Sequence, residues 1–208
     1  MAHIFIFEGP DYTGKSSCVK YCEEELKKNY KDRDVKVIRS PGGTPIGEKI
    51  RDIARVEAKG TIEQVGAYLA SLLSVYEYLT SEEVVNSKDI ILLDRWVYSL
   101  LAYQLKDLKE NQISRSLIKL AEDMSKIPSQ VFLFDVSFEQ LMERIKASDK
   151  TEEKDRFENS QDEEKKRILH NYTLLKIPQF MRLDTNRLDL NLCKTLTLTE
   201  IIKKVENL

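Results

Sequence analysis

Residues 9–16 run Gly-Pro-Asp-Tyr-Thr-Gly-Lys-Ser and match the pattern G-x-x-x-x-G-K-[ST] at every fixed position. That spacing suits a polyphosphate. Gly9 and Gly14 allow backbone N–H groups to turn inward, and a helix opening at Lys15 adds the positive end of its dipole. Lys15 is placed to reach the β- and γ-phosphates of a nucleoside triphosphate such as ATP, and Ser16 to ligate Mg²⁺. Pro10, Tyr12, Thr13 and Ser17 complete the cradle. Asp11 is out of character there, because a carboxylate repels the anion that the rest of the loop gathers.

A triphosphate cradle does not say what receives the phosphate. A GTP-binding switch needs a D-x-x-G after a strand and an N-K-x-D for guanine. The D-x-x-G of this chain is Asp11–Gly14, inside the cradle itself, and Asn186-Arg187-Leu188-Asp189 carries Arg where Lys is required. The switch reading fails on its own markers.

The cradle needs a strand before it and a helix after it, and the chain supplies both. Ile4–Phe7 is a short apolar run ending at Gly9, and Val19, Cys22 and Leu26 recur at helical spacing from Lys15 to Tyr30. Val35–Ile38 forms a second strand, ended by Pro41-Gly42-Gly43. Thr44 as N-cap and Pro45 at the first helical position start a helix with Ile46, Ile50 and Ile53 on one face. A long helix covers Ile62 to Leu79. Ile90–Leu93 is a third strand closed by Asp94, Val131–Val136 a fourth, and Phe180–Leu183 a last one. Ser137 with Gln140, and Thr197 with Glu200, have the spacing of capping boxes. Strands alternating with helices predict an α/β fold, a three-layer arrangement with a parallel sheet of about five strands and helices on both faces.

The chain has 208 residues, 41% hydrophobic and 33% charged, with a formal net charge of −2. One domain over residues 1–208 is expected, since no repeat or linker divides it. The polar, doubly charged stretch 146–163 is either a solvated helical face or a lid. So small a net charge gives no general attraction to nucleic acid or to an anionic membrane. No apolar run is long enough to span a bilayer, and no leader pattern opens the chain. Cys18, Cys22 and Cys193 make an odd, sparse set that suits buried thiols in a reducing cytosol, so a cytoplasmic protein is expected.

Three further segments, in order, resemble the thymidylate kinase family. They are SPGGTPIGEKIRDI at 40–53, DRWVYSLLAYQ at 94–104 and DRFE at 155–158. With the cradle they span most of the chain. The resemblance implies a nucleoside-monophosphate kinase of P-loop fold that moves the γ-phosphoryl of ATP to dTMP with Mg²⁺, acts as a homodimer, and closes a lid over ATP. It places Asp11 near the 3′-hydroxyl of the deoxynucleotide, where a carboxylate is a strong acceptor; the alternative is that Asp11 stabilises its own loop. It places Pro41, Arg51 and Arg95 at the acceptor, with the two arginines on the 5′-phosphate, and Asp94 near the metal through water. Tyr103 packs under the deoxyribose, Gln104 hydrogen-bonds the base, and Ser99 supports the segment. The family adds a basic residue over the transferring phosphate. Tyr12 stands at the cradle position for it, so the resemblance shifts that role to Arg156, with Arg144, Lys150 and Lys154 as helpers.

The chain departs from the family at the base. An ungapped alignment puts Leu69 where a phenylalanine stacks on thymine and Leu73 where an arginine reads the base edge; Tyr68 or Tyr76 takes over if the register differs by a residue or so. Ser40 replaces the acid before PGG, and the match weakens around Glu163. Kinase chemistry is untouched by these changes and base choice is not. Two alternatives therefore stand beside dTMP: another acceptor, such as dGMP, dUMP or a nucleoside, and a nucleotide-binding protein without turnover.

Overall fold

The structure is a computed structural model that describes residues 1–58, 61–104, 112–148, 160–175, 177 and 180–207. In chain order the elements are β1 (His3–Glu8), α1 (Lys15–Asn29), β2 (Val35–Arg39), α2 (Pro45–Val56), α3 (Thr61–Leu79), α4 (Glu82–Asn86) and β3 (Ile90–Asp94). There follow α5 (Val97–Gln104), α6 (Gln112–Met124), β4 (Gln130–Asp135), α7 (Phe138–Ala147), α8 (Asp162–Leu174), β5 (Phe180–Asp184) and α9 (Leu190–Glu206).

The strands form a parallel sheet in the order β2-β3-β1-β4-β5. Strand residues alternate between its faces, so each apolar run is divided between two cores. Ile4, Ile6, Ile91, Leu93, Val131 and Leu133 pack with Leu69, Leu72, Val97, Leu101, Ile168 and Tyr172 from α3, α5 and α8. Phe5, Phe7, Ile90, Leu92, Phe132 and Phe134 pack with Cys18, Cys22 and Leu26 of α1 and Cys193, Ile201 and Val205 of α9. Removing each such large side chain from water contributes about 1.5–3 kcal/mol before conformational entropy is counted.

The register decides where a site can form. Asp94 stands opposite both Phe7 of β1 and Arg39 of β2, so the ends of three neighbouring strands finish level. The loops leaving them, beginning at Gly9, Ser40 and Arg95, share one rim, which is where open parallel sheets gather ligands.

Helix starts follow the capping chemistry in part. The Thr44 hydroxyl accepts from the Gly47 N–H, and Ser137 accepts from the Gln140 N–H. The second half of the expected box at Ser137 does not form, because the Gln140 amide donates to Glu143 and the Ser137 N–H goes to Asn186. Thr197 is no helix start. The last helix begins eight residues earlier on Asp189, whose carboxylate accepts from the Leu192 N–H, and the Thr197 hydroxyl turns back to the Cys193 carbonyl at 2.7 Å. The apolar face expected on α2 also points outward: Ile46 is 60% and Ile53 47% exposed. Its buried residues are small, Gly47 and Ala54, and they let α2 lie close against α3.

Candidate active site

The cradle is a left-handed turn followed by a helix. Gly9 has φ 131° and Gly14 φ 86°, and a Cβ on Gly9 would lie 2.2 Å from the Phe134 carbonyl oxygen, so only glycine passes there. The Thr13 hydroxyl donates to the Pro10 carbonyl at 2.9 Å and Lys15 Nζ to the same oxygen at 2.6 Å. Lys15 is almost wholly buried, and burial first, then the nearby positive charge of Arg95, lowers its pKa to about 8. Across the rim, the Ser16 hydroxyl lies 3.3 Å from Asp94 Oδ2. These oxygens, one neutral and one anionic, are the donor type that a hard divalent cation takes. Among the described residues no cluster of three or more His, Cys, Asp or Glu could hold a metal.

Asp11 pairs with Arg95 across the rim. Its Oδ1 accepts from Arg95 Nη2 at 2.6 Å and lies 4.0 Å from Lys15 Nζ. Arg95 follows β3 with φ 72°, a left-handed backbone that costs a residue with a side chain roughly 1–3 kcal/mol. Its Nη1 donates to the Gly9 carbonyl and to Ser99 Oγ, both at 3.0 Å, and its guanidinium carbon lies 5.6 Å from the Tyr103 ring centroid. One arginine thus ties the cradle to the segment after β3.

Beyond Arg95 opens a cleft of about 290 Å³. Its lining includes Asp11, Arg39, Arg51, Arg55 and Arg95, with Arg51 and Arg95 close enough to act on Arg39, together with Pro41, Gln64, Tyr68, Leu72, Tyr103, Gln104 and Ile168. Arg51 reaches it from α2 and is steadied by Glu48 at 3.4 Å. Glu48 in turn accepts from the Gly43 N–H at 2.8 Å, and that bond, followed by the charge of Arg51, holds its carboxyl below the usual range. The turn before α2 is pinned as well: the Gly42 N–H donates to Ser71 Oγ at 2.9 Å.

Cradle, Asp94, Arg95, Pro41, Arg51, Tyr103 and Gln104 therefore meet at one rim. Leu69 and Leu73 do not join them. Leu69 is buried in the core and Leu73 is 38% exposed on the outer side of α3. At those two places the residues of α3 that face the cleft are Tyr68 and Leu72, one position earlier in each case, and Gln64 lines it one turn before Tyr68. Arg144 extends from α7 to the outside of the cradle, donating to the Tyr12 carbonyl at 3.1 Å and to both oxygens of Thr185. It braces the loop. Arg156, Lys150 and Lys154 lie outside the described residues.

Two residues of this site have no signal in the motifs. Arg39 ends β2 directly beside Asp94, and only the strand register brings it to the cleft. Glu8, at the end of β1, is wholly buried and accepts from the backbone N–H groups of Trp96 and Ser99 and from the Ser99 hydroxyl.

Comparisons with known proteins identify the family. The family model described as thymidylate kinase matches residues 7–190. A thymidylate kinase of Malacoplasma penetrans is 34% identical over 196 residues, 88% of this chain and 86% of the relative. One from Enterococcus faecalis is 29% identical over 209 residues, 98% of each chain. In fold, the solved thymidylate kinase of Candida albicans superposes with a TM-score of 0.73 at 18% identity, covering 99% of this chain and 93% of that one. With a family model matched from the first strand to the start of the last helix, the chain belongs to the thymidylate kinase family.

Proposed function

We propose that this chain transfers the γ-phosphoryl group of ATP to dTMP, releasing ADP and dTDP. The observation that carries the reading is the Asp11–Arg95 junction, where a triphosphate cradle and an arginine-lined cleft open onto the same rim. In the reaction an oxygen of the acceptor's 5′-phosphate attacks the γ-phosphorus while the bond to the β–γ bridging oxygen breaks. Such a transfer needs positioning and charge neutralisation more than covalent help from the protein. Lys15 and the loop N–H groups hold the donor, while Arg39, Arg51 and Arg95 hold the acceptor phosphate in line. Asp11 accepts from the 3′-hydroxyl, and Tyr103 packs under the sugar. Ser16 and Asp94 would hold Mg²⁺, which would supply charge neutralisation on the donor phosphates. The segment 146–163 acts as lid with Arg156 over the transferring group, a role supported by the sequence alone.

The base end favours a second reading, of altered or broadened base choice. α3 carries no arginine, and Leu72, which faces the cleft, cannot hydrogen-bond a base edge. Base contact falls to Gln104, the ring of Tyr68 and the amide of Gln64, all of which line the cleft. ADP release with ATP and Mg²⁺, measured against dTMP, dUMP, dGMP, dCMP, dAMP and thymidine, separates the readings. Turnover on dTMP above all others supports thymine recognition. Comparable rates on several deoxynucleotides support the second reading, and turnover on none of them would defeat both.

The functional unit in this proposal is a homodimer. Its support is the outward apolar face of α2, continued by Ile62 and Leu73 of α3. No described helix is long and apolar enough to cross a membrane.

A further inference from the structure

Glu8 is a carboxylate with none of its surface exposed, beside the site yet outside the chemistry just described. Its surroundings are donors. Oε1 accepts from the Trp96 N–H at 2.7 Å and the Ser99 N–H at 3.1 Å, and Oε2 from the Ser99 hydroxyl at 2.6 Å. The Tyr172 hydroxyl of α8 lies 3.0 Å from Ser99 Oγ and 3.4 Å from Oε2. Because the one proton of Ser99 is directed at Glu8, the oxygen of Ser99 turns its lone pairs toward Arg95 Nη1, 3.0 Å away. Direction matters in this chain of bonds. A guanidinium only donates, so Ser99 can receive Arg95 only while its own proton goes elsewhere.

The same carboxylate ties down the backbone on the far side of Arg95. Trp96 and Ser99 begin the turn into α5; the Trp96 N–H goes to Glu8, and the Ser99 N–H is shared between Glu8 and the Trp96 carbonyl, each at 3.1 Å. With Glu8 across them, the chain around the left-handed Arg95 is held from within the core. α8 grips the other end of α5: the Asn171 amide donates to the Ala102 carbonyl at 2.7 Å and Arg167 to the Tyr103 carbonyl at 3.2 Å. Arg95 and Tyr103, both at the acceptor cleft, are thus held from behind by Glu8 and α8, with Ser99, itself a lining residue, between Glu8 and Arg95.

We propose that Glu8 is a positioning residue for Arg95, acting through Ser99 and the first turn of α5 to aim the guanidinium at the acceptor phosphate. The inference rests on the reading of Arg95 as a phosphate ligand, and the experiment keeps the two apart. Glu8→Gln has nearly the same shape but puts an amide NH₂ among groups that themselves donate. It raises the acceptor's KM by about tenfold or more, the effect of spoiling charge-assisted hydrogen bonds, and leaves ATP's KM within about twofold. In an Arg95→Ala background the same change adds little, since the group being aimed is gone.

Ser99→Ala removes the hydroxyl link while Glu8 keeps its backbone partners. It shifts the acceptor's KM in the same direction, and it serves if Glu8→Gln does not fold. A merely structural Glu8 would lower Tm and disturb both substrates alike, with effects that multiply in the double variant; that result overturns the proposal. So does an unchanged acceptor KM in both Glu8→Gln and Ser99→Ala when Arg95→Ala raises it strongly, while the reading of Arg95 survives. An unchanged KM in Arg95→Ala itself would remove both.

Discussion

Arg39, Arg51 and Arg95 point three positive charges into one end of a cleft, where like charges repel unless an anion lies between them. That arrangement is stable with a phosphate in place and is partly offset here by Asp11 and Glu48. Arg51→Ala and Arg39→Ala should each raise the acceptor's KM by about ten- to a hundredfold with little change in ATP's, as loss of a charge-assisted contact would. Steady-state kinetics with each substrate varied would check it; equal rises for both substrates would remove these arginines from the acceptor. The base end makes a second test. Tyr68→Ala should raise the acceptor's KM, whereas Leu73→Ala should leave the ranking of acceptors unchanged in the same assay. The cradle was legible because its residues are contiguous and its glycines are required by backbone geometry. Tyr68 was legible only as the alternative to an ungapped alignment and Leu72 not at all, because one residue on a helix is a rotation of about 100°. An ungapped alignment off by one position exchanges the cleft face for the core and the outside.

Helix α2 carries Arg51, so whatever holds α2 also aims that charge. It is held by small residues and hydroxyls. Ser71 Oγ receives the Gly42 N–H and donates to the Gly47 carbonyl at 2.8 Å, while Thr44 and Ser74 share a hydrogen bond of 2.7 Å. A Cβ on Gly47 would meet Ser74 Oγ and Thr44 Oγ1, each at 2.7 Å. Gly47→Ala should therefore push α2 off α3, lowering stability by about 1–3 kcal/mol, as overpacking does. It should also weaken acceptor binding while ATP binding persists. Thermal unfolding and the two KM values together check this, and a variant with normal Tm and kinetics would show that the seam is looser than drawn. Here the start of α2 was legible from Thr44-Pro45, since a cap and a fixed φ act locally. The outward turn of Ile46 and Ile53 was not, because apolar spacing reports that a face exists and not what covers it. Thr197 misled for a related reason: a threonine inside a helix can bond back to the carbonyl four residues earlier, and the cap that counts is the earlier Asp189.

Taken together, α2 and α3 have two working sides. One side lines the cleft through Arg51, Tyr68 and Leu72. The other shows Ile46, Ile53, Val56, Ile62 and Leu73 to solvent, between 38% and 62% exposed. On α3, Gly66 and the exposed Ala70 lie between Ile62 and Leu73, and a Cβ on Gly66 would meet nothing, so this part is flat as well as apolar. Alternation of strands and helices made the three layers legible, yet neither strand order nor this surface, since both depend on which faces meet. A contiguous apolar face on the two helices that shape a binding cleft is costly to leave in water and suits a second copy of the same face. The protein should sediment as a dimer at micromolar concentration, and Ile53→Asp, which places a charge in the middle of that face, should convert it to a monomer. Because the same helices carry Arg51 and Tyr68, the monomer should fold, bind ATP nearly as well, and show a raised KM for the acceptor. Analytical ultracentrifugation of both forms, followed by kinetics on each, decides the matter. A wild-type protein that stays monomeric throughout that range would refute the dimer; a monomeric variant with unchanged acceptor KM would keep it but free the cleft from any dependence on it.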